Sequence, residues 1–335
     1  MKNLNGTVRV SPAPSLYAFL YSILGVILGR WTDRFGPRII LILGSAFLGV
    51  GIGLISHVNA PWQLYVVYGL LASWGMSATY ITANPIIVKW FIAQRGLALG
   101  VAQSGLGMRG QSSSTAHSEE IYEAIYQEVN WSAAEAIHTK SFWILTALFF
   151  CTWLFVFLLL VHLVIFAMDM GLSRESALIA LSILGGSSTL GRLIMGTISD
   201  RIGRKKALTV TLCLQVLSWF WIMGTTTSWM LLIFSALFGF SYGGVSAVFP
   251  AIIGDYFGRL KAASVIGAIF TLAGSAAAIG PLVAGSIHDL TRSYQLAFLL
   301  GALTNLLALA LLFISKPPRR TEVRGELKVE GNMVS

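Results

Sequence analysis

Apolar and polar residues alternate along this chain in long blocks. Nine of the apolar blocks are about as long as the 20-residue helix that crosses a bilayer. They cover residues 15–31, 38–56, 62–87, 142–167, 176–198, 207–224, 229–253, 262–286 and 294–314. Because backbone polar groups cannot stay unpaired in lipid, each block is predicted to form an α-helix. The pattern predicts an all-α polytopic membrane protein with about nine full transmembrane helices.

The composition agrees with that prediction. Hydrophobic residues make up 56% of the chain and charged residues 11%, whereas soluble domains carry about 25% charged residues. Mean hydropathy is +0.75. The lipid bilayer is therefore the expected surroundings of most of the chain. The two cysteines, Cys151 and Cys213, lie inside apolar blocks and form no metal-binding spacing, so neither a metal nor a cofactor is expected.

The net charge of +9 comes mainly from connections on one side of the predicted bundle. Basic residues concentrate in 30–38, 89–95, 201–206, 259–261 and 316–320. The four opposite connections carry only Arg174 and Arg292. Lys and Arg favour cytoplasmic loops. The asymmetry therefore predicts a multi-pass protein of the plasma (inner) membrane with a cytoplasmic C-terminus, and it explains the charge without a nucleic-acid partner.

Two charged turns repeat each other. "GRWTDRFGPR" at 29–38 and "GTISDRIGRK" at 196–205 align over ten positions, and their aspartates, Asp33 and Asp200, are 167 positions apart. A second pair, "NPIIVKWFIAQRG" at 84–96 and "FPAIIGDYFGRLK" at 249–261, follows at nearly the same offset. Repeats of this size in a helical membrane protein predict two homologous bundles related by an axis along the membrane normal.

The repeated turn resembles the signature loop of the major facilitator superfamily. The residues that carry the resemblance are Gly29, Asp33, Arg34, Gly36 and Arg38 in the first copy and Gly196, Asp200, Arg201, Gly203 and Arg204 in the second. Within the superfamily, the stretches 15–38, 88–107 and 161–204 resemble the branch of oxalate/formate exchangers and monocarboxylate transporters.

The resemblance implies a domain organisation. Members have twelve helices, six in each half, and this chain matches the second half completely but apparently lacks family helices 1, 6 and most of 5. Residues 1–107 are then an incomplete N-terminal transmembrane bundle, and 108–141 a cytoplasmic polar linker with short helices. Residues 142–316 form a six-helix C-terminal bundle, followed by a cytoplasmic tail, 317–335. The apolar run 96–107 would be about 18 Å long as a helix, too short to span, so it is expected to be interfacial or re-entrant.

The acidic residue of each turn can bind the N-terminus of a neighbouring helix. A carboxylate at a helix end can accept hydrogen bonds from the exposed N–H groups of a neighbouring helix N-terminus, which is worth about 0.3–1 kcal/mol and more when part-buried. The resemblance implies that Asp33, Asp200 and the adjoining Arg34 and Arg201 hold one side of the protein closed and so form a gate. The alternative is that the turns act only as topology signals and helix caps.

Arg192 is the candidate substrate-binding residue. It lies about 12 Å up the helix from Asp200, deep in an apolar block, where an unpaired arginine costs at least about 2.5–3.5 kcal/mol. The equivalent position of the first repeat is Gly25, so the fold does not require an arginine there. A guanidinium binds a carboxylate through two parallel hydrogen bonds, and the resemblance implies that Arg192 is the anion-binding residue. The alternative is that its side chain extends toward the turn and braces it.

Several other polar residues lie in apolar blocks. Tyr80, Asn84, Tyr242, Tyr17 and Tyr21 could line a substrate cavity, although each could equally form a hydrogen bond between helices. His162 could relay protons, or it could bond a backbone carbonyl.

These residues predict a secondary active transporter that works by alternating access on small organic anions, by proton symport or anion exchange. Oxalate carriers have a second cation in the eleventh family helix, and the matching residues 262–281 contain none, which favours monocarboxylates. The alternative is a truncated, non-transporting remnant or an incomplete copy of such a carrier. An enzyme is not expected, because no hydrolase, zinc-protease or phosphate-loop motif occurs.

Overall fold

The computed structural model describes residues 12–57, 61–91, 94–104 and 130–318. The predicted linker helices within 108–129 and the tail after Pro318 therefore lie outside the described residues. Every regular element in those ranges is helical, which confirms the all-α prediction. The helices are α1 (Pro12–Phe35), α2 (Pro37–Ile55), α3 (Pro61–Leu64), α4 (Ser73–Trp90), α5 (Arg95–Gln103), α6 (Ala133–Ile137), α7 (Lys140–Leu154), α8 (Val156–Asp169), α9 (Arg174–Ile202), α10 (Arg204–Met223), α11 (Ser228–Phe257), α12 (Ala262–Gly274), α13 (Ala276–Thr291) and α14 (Gln295–Ile314).

Seven helical segments of the described residues are long and apolar enough to cross a membrane. They are Pro37–Ile55, Lys140–Asp169, Arg174–Ile202, Arg204–Met223, Ser228–Phe257, Ala262–Thr291 and Gln295–Ile314. The other two predicted crossings, 15–31 and 62–87, are also helical. The first lies within the 24 residues of α1, and the second runs through α3, a π-helical segment (Tyr65–Ala72) and α4.

Two of the crossings are interrupted where the sequence predicts continuous helices. The segment Lys140–Asp169 breaks at Phe155, between α7 and α8. The segment Ala262–Thr291 breaks at Ser275, between α12 and α13. An interrupted backbone is tolerated at membrane depth where it is buried in protein or faces a cavity. These two breaks lie next to each other in the second bundle, because Gly280 of α13 packs directly on the backbone carbonyl of Leu154.

The two repeated turns have the same backbone conformation. Gly36 has φ 85° and ψ 155°, and Gly203 has φ 91° and ψ 152°. Residues with a Cβ atom rarely adopt such positive φ values. Each glycine ends one helix and begins the next, so the glycine of the sequence motif is required by the turn itself.

The bundles touch at the end that carries these turns, which we call the turn end. In one contact, α1 packs on α12, and a Cβ atom on Gly29 would lie 2.9 Å from the carbonyl oxygen of Ala263. In the other, α5 packs on α9, and Gly96 meets the backbone of Gly196. These positions are related by the repeat offset, since α1 corresponds to α9 and α12 to α5. The absence of side chains therefore lets the helices of both pairs approach closely.

The short helix α5 is enclosed by the bundle rather than lying on its surface. Its Leu99 is fully buried, and the helix contacts α9, α11 and α4. Further along the chain, Ser132 forms a capping box with Glu135. The Ser132 Oγ accepts from the Glu135 N–H at 3.3 Å, and the Glu135 carboxylate accepts from the Ser132 N–H at 2.7 Å. The helix that it begins, α6, is only five residues long, because Thr139 starts the next helix.

Candidate functional site

A cavity of about 260 Å³ lies between the two bundles. Helices α1, α4 and α5 contribute one wall and α9 and α11 the other. Its lining residues are Tyr21, Met76, Thr79, Tyr80, Ala83, Asn84, Ala102, Gln103, Arg192, Tyr242 and Ser246. The cavity thus brings together five of the six predicted substrate-binding residues. Tyr17 is not among them; its ring stacks on Tyr21, with the centroids 5.8 Å apart. We call this space the main cavity.

Arg192 supplies the charge of the main cavity. Its guanidinium carbon lies 6.0 Å from the ring centroid of Tyr242, and its Nε is buried without a hydrogen-bond partner. Within the described ranges, no carboxylate lies close enough to form an ion pair with it. Removing a guanidinium from water without a counter-charge is costly. An anion entering the cavity would offset that cost.

The wall facing Arg192 contains a hydrogen-bonded chain that links the two bundles. Gln103 Nε2 donates to Asn84 Oδ1 at 3.0 Å, and Gln103 Oε1 accepts from Ser246 Oγ at 3.0 Å. Asn84 Nδ2 donates to the carbonyl oxygen of Tyr80 at 2.9 Å. Asn84 therefore lines the cavity and also bonds between helices. Sequence reasoning missed Gln103 and Ser246, although a glutamine within the apolar run 96–107 was a usable signal.

A smaller cavity of about 70 Å³ adjoins the main one. The two share Tyr21, Tyr80, Tyr242 and Ser246, and the other walls are Trp153, Phe157, Phe270, Gly274 and Ala277. Four of these wall residues flank the helix breaks at Phe155 and Ser275. We call this space the aromatic annex. It was not foreseen from the sequence, because Trp153 and Phe270 belong to helices that only the fold brings together.

At the turn end, Asp200 joins the two bundles through hydrogen bonds. Its Oδ1 accepts from the Gly96 N–H at 2.9 Å and its Oδ2 from the Leu97 N–H at 3.0 Å. Both N–H groups belong to the first turn of α5, where backbone donors have no partner within the helix and the helix dipole attracts negative charge. The carboxylate of the second bundle therefore caps a helix of the first.

Arg204 forms an ion pair with that carboxylate from within the same bundle. Arg204 Nη1 lies 2.6 Å from Asp200 Oδ1, and Arg204 Nε lies 3.4 Å from Asp255 Oδ2. Arg201, which is predicted to belong to the gate, has an exposed side chain. The ion pairs at this turn are made by Arg204, because it lies one helical turn beyond Asp200 on the far side of Gly203.

The first copy of the motif is arranged differently. The side chains of Asp33, Arg34 and Arg38 are exposed, and the Arg34 guanidinium carbon lies 5.4 Å from the ring centroid of Phe35. Near this turn the close approach to the other bundle is made by Gly29 against the backbone of α12. The two copies thus share a backbone conformation, while the Asp33 side chain is exposed and that of Asp200 is largely buried.

The predicted relay residue His162 lies in α8, away from both cavities. It is buried, and its Nδ1 is 3.2 Å from the hydroxyl oxygen of Tyr294. Tyr294 stacks on His288 at 4.3 Å, and His288 Nε2 lies 3.2 Å from Asp169 Oδ2. The partner found for His162 is thus a tyrosine hydroxyl at the end opposite the turns.

Two helical bundles related by an internal repeat, with a polar cavity between them, define the class of membrane transporters. The model of the Major Facilitator Superfamily matches residues 5–110, 111–217 and 145–332. The chain belongs to this superfamily and is an integral, multi-pass membrane protein. Members of the superfamily are transporters rather than enzymes.

Similar proteins agree with this assignment. The chain is 25% identical to the oxalate:formate antiporter of Oxalobacter formigenes, over 84% of this chain and 76% of that protein. It is 24% identical to monocarboxylate transporter 12 of Xenopus laevis, over 88% of this chain and 78% of that protein. The crystal structure of the human organic anion transporter MFSD10 superposes with a TM-score of 0.68 at 17% identity, covering 90% of this chain and 83% of that one.

The described residues contain fewer helices of membrane-spanning length than the complete fold of the superfamily. The alignment with monocarboxylate transporter 12 extends over 366 positions, more than the 335 residues of this chain. That transporter therefore has segments without a counterpart here. The helix α5 has nine residues and corresponds to α12 of the second bundle, while the positions that would correspond to α13 lie outside the described residues.

Proposed function

We propose that this protein is a secondary active transporter for small organic anions, in particular monocarboxylates. The observation that carries the proposal is the guanidinium of Arg192 in the main cavity, which has no carboxylate partner among the described residues. A carboxylate can accept two parallel hydrogen bonds from such a group. The tyrosine hydroxyls of the lining add donors around it.

The relatives support an anionic substrate of low charge. The oxalate:formate antiporter and monocarboxylate transporter 12 are named for carboxylate substrates. The lining of the main cavity contains one cationic side chain, Arg192, and the wall that α12 and α13 give to the annex is apolar. One cation balances one carboxylate, so a monocarboxylate fits better than a dicarboxylate.

The contacts at the turn end support transport by alternating access. With α5 joined to α9 by Asp200, the main cavity is closed toward the turns. Breaking the bonds from Asp200 to the first turn of α5 would let the bundles separate there and would open the cavity on that side. The excess of basic residues in these turns supports a cytoplasmic location for the turn end and the C-terminus, in a plasma (inner) membrane. Coupling is by proton symport or by anion exchange.

The test is uptake into proteoliposomes that contain the purified full chain. Labelled formate, lactate, oxalate and 3-phenylpropanoate are each supplied outside, with and without the same unlabelled anion inside and with an imposed pH gradient. We expect saturable uptake of at least one monocarboxylate, and the more effective driving condition identifies the coupling. Arg192→Gln should lower uptake about 10- to 100-fold, the range of a lost charge-assisted hydrogen-bonded pair. Arg192→Lys keeps the positive charge but lacks the planar guanidinium group, so it should retain part of the uptake.

The matched control is Arg174→Gln, the same substitution at an exposed position at the other end of α9. It should transport like the unmodified protein. Equal uptake by the Arg192→Gln and Arg174→Gln variants would contradict the assigned role of Arg192.

A non-transporting protein is the second candidate. The segments of monocarboxylate transporter 12 that have no counterpart in this chain favour it, because a bundle with fewer helices encloses the main cavity less completely. Such a protein would bind an anion at Arg192 without moving it. Saturable binding without uptake under any driving condition would support this candidate over a carrier.

A further inference from the structure

We propose that the preferred substrate is an arylalkyl monocarboxylate, with its carboxylate on Arg192 and its aromatic ring in the aromatic annex. This inference rests on the proposed function and specifies the substrate class of the same site. It follows from the position and chemistry of the annex, which a carboxylate binding at Arg192 alone would not use.

The annex lies beside the main cavity and shares four of its lining residues, Tyr21, Tyr80, Tyr242 and Ser246. Tyr242 lines both spaces, and its ring lies 6.0 Å from the Arg192 guanidinium carbon. A carboxylate held by that guanidinium therefore lies beside Tyr242. A chain of one or two carbons from the carboxylate leads past Tyr242 and Ser246, which both spaces share, into the annex.

Aromatic rings line the annex on several sides. Phe270, one of its wall residues, has the rings of Tyr21 at 4.9 Å, Tyr80 at 5.0 Å and Trp153 at 5.6 Å between centroids. Tyr21 and Trp153 meet Phe270 edge-to-face, at interplanar angles of 87° and 64°. Aromatic pairs favour this arrangement and offset stacking. A substrate ring would extend the cluster by the same contacts.

Small residues give the annex its depth. Gly274 and Ala277, on either side of the break at Ser275, line it without large side chains. The sequence "LAGSAAAIGP" at 272–281 therefore leaves room for a substrate group where larger residues would fill it.

A small carboxylate uses little of this site. Formate or acetate would pair with Arg192 but would leave water in the annex, in contact with aromatic rings. Contact between water and apolar surface is unfavourable. Each buried methylene raises affinity about fourfold. A phenyl group placed in the annex should therefore raise affinity at least tenfold over the corresponding aliphatic acid, even when part of the gain is offset by ordering.

The test compares two acids that differ only in the ring. Calorimetric titration of the purified full chain with 3-phenylpropanoate and with propanoate should give a dissociation constant at least tenfold lower for the aromatic acid. The neutral 3-phenylpropan-1-ol controls for binding of the ring to detergent or lipid, and it should bind far more weakly than the acid.

A paired substitution locates the ring. Ala277→Leu fills the annex and should reduce binding of 3-phenylpropanoate to the level of propanoate, while propanoate binding stays unchanged. Ala278→Leu is the matched control, because Ala278 is the next residue, is similarly buried and is not part of the annex lining. It should leave the preference intact. A thermal unfolding curve on each variant shows whether it is folded before it is titrated.

The outcomes separate this inference from the proposed function. Equal affinities for the two acids, both lost in Arg192→Gln, would overturn the aromatic preference and leave the carrier of small anions standing. A preference that survives Ala277→Leu would also overturn it. Binding of neither acid would contradict both proposals.

Discussion

The bonds from Asp200 to the first turn of α5 should decide how often the turn end is open. Asp200→Asn removes the negative charge and leaves one carbonyl oxygen to serve the two N–H groups of Gly96 and Leu97. It also removes the ion pair with Arg204. The perturbation is local, since asparagine has nearly the shape of aspartate.

The size of the effect can be worked out from the contacts. The Asp200 side chain is only 8% exposed, so water screens these interactions little. Interaction of a part-buried charge with a helix end is worth up to about 2 kcal/mol, and a hydrogen bond to a charged group about 1.5–3 kcal/mol. Because Asn keeps one bond and water replaces part of the rest, we expect a net loss of about 2 kcal/mol. That shifts the closed-to-open equilibrium about thirtyfold, for example from about 1% open to about a quarter open.

Distances between spin labels measure this equilibrium directly. Gln94 and Lys206 are exposed positions at the turn end, one in each bundle, and can carry the labels after Cys151 and Cys213 are replaced by alanine. We expect a single short distance in the unmodified protein and a second, longer distance in Asp200→Asn.

The control for this experiment changes a neighbouring acid of the same bundle. Asp255→Asn removes the other ion pair of Arg204 but leaves the bonds from Asp200 to α5 in place, so the distance distribution should stay that of the unmodified protein. If Asp200→Asn leaves the distribution unchanged, or if both variants shift it equally, the contact with α5 does not hold the end closed.

Three further predictions follow from single contacts. Gly96→Val places a branched side chain against the backbone of Gly196, so the same spin labels should report an opened turn end. Tyr294→Phe removes the hydroxyl partner of the buried His162 and keeps the ring, and thermal unfolding should show a loss of about 1–2 kcal/mol; an unchanged unfolding temperature would contradict the contact. Ser132→Ala removes the cap of α6, worth about 1 kcal/mol, so amide hydrogen exchange in that helix should speed up about fivefold, and an unchanged rate would contradict it.

The local features of the fold follow from the sequence because they depend on nearby residues. A glycine after Asp-Arg-x predicts the turns at Gly36 and Gly203, since only that residue adopts their φ without strain. Ser132 and Glu135 have the spacing of a capping box, and the structure has one. The apolar blocks give the helices because lipid leaves the backbone no other partner.

The features that were missed depend on contacts between distant segments. Phe155 has no proline or glycine beside it that would signal the first break, whereas Gly274 directly precedes Ser275 at the second. Both breaks coincide with the packing of Gly280 on Leu154. Gln103 joins Asn84 to Ser246 only because α5 lies between α4 and α11. Polar residues within apolar blocks indicated which residues line the main cavity. The sequence does not indicate the aromatic annex in this way, because Phe and Trp also occur on lipid-facing surfaces.

The most direct test of the central claim is protection of the main cavity by an anion. Thr79 lines the main cavity opposite the charge, and Thr79→Cys, in a chain with Cys151 and Cys213 replaced by alanine, can be alkylated with a small thiol reagent. We predict that propanoate and 3-phenylpropanoate, tested in parallel, slow this alkylation in a saturable way when Arg192 is present and have no effect when Arg192→Gln is added. Equal protection with and without Arg192, or no protection at saturating concentrations of either acid, would contradict the account of Arg192 as the anion-binding residue of the cavity.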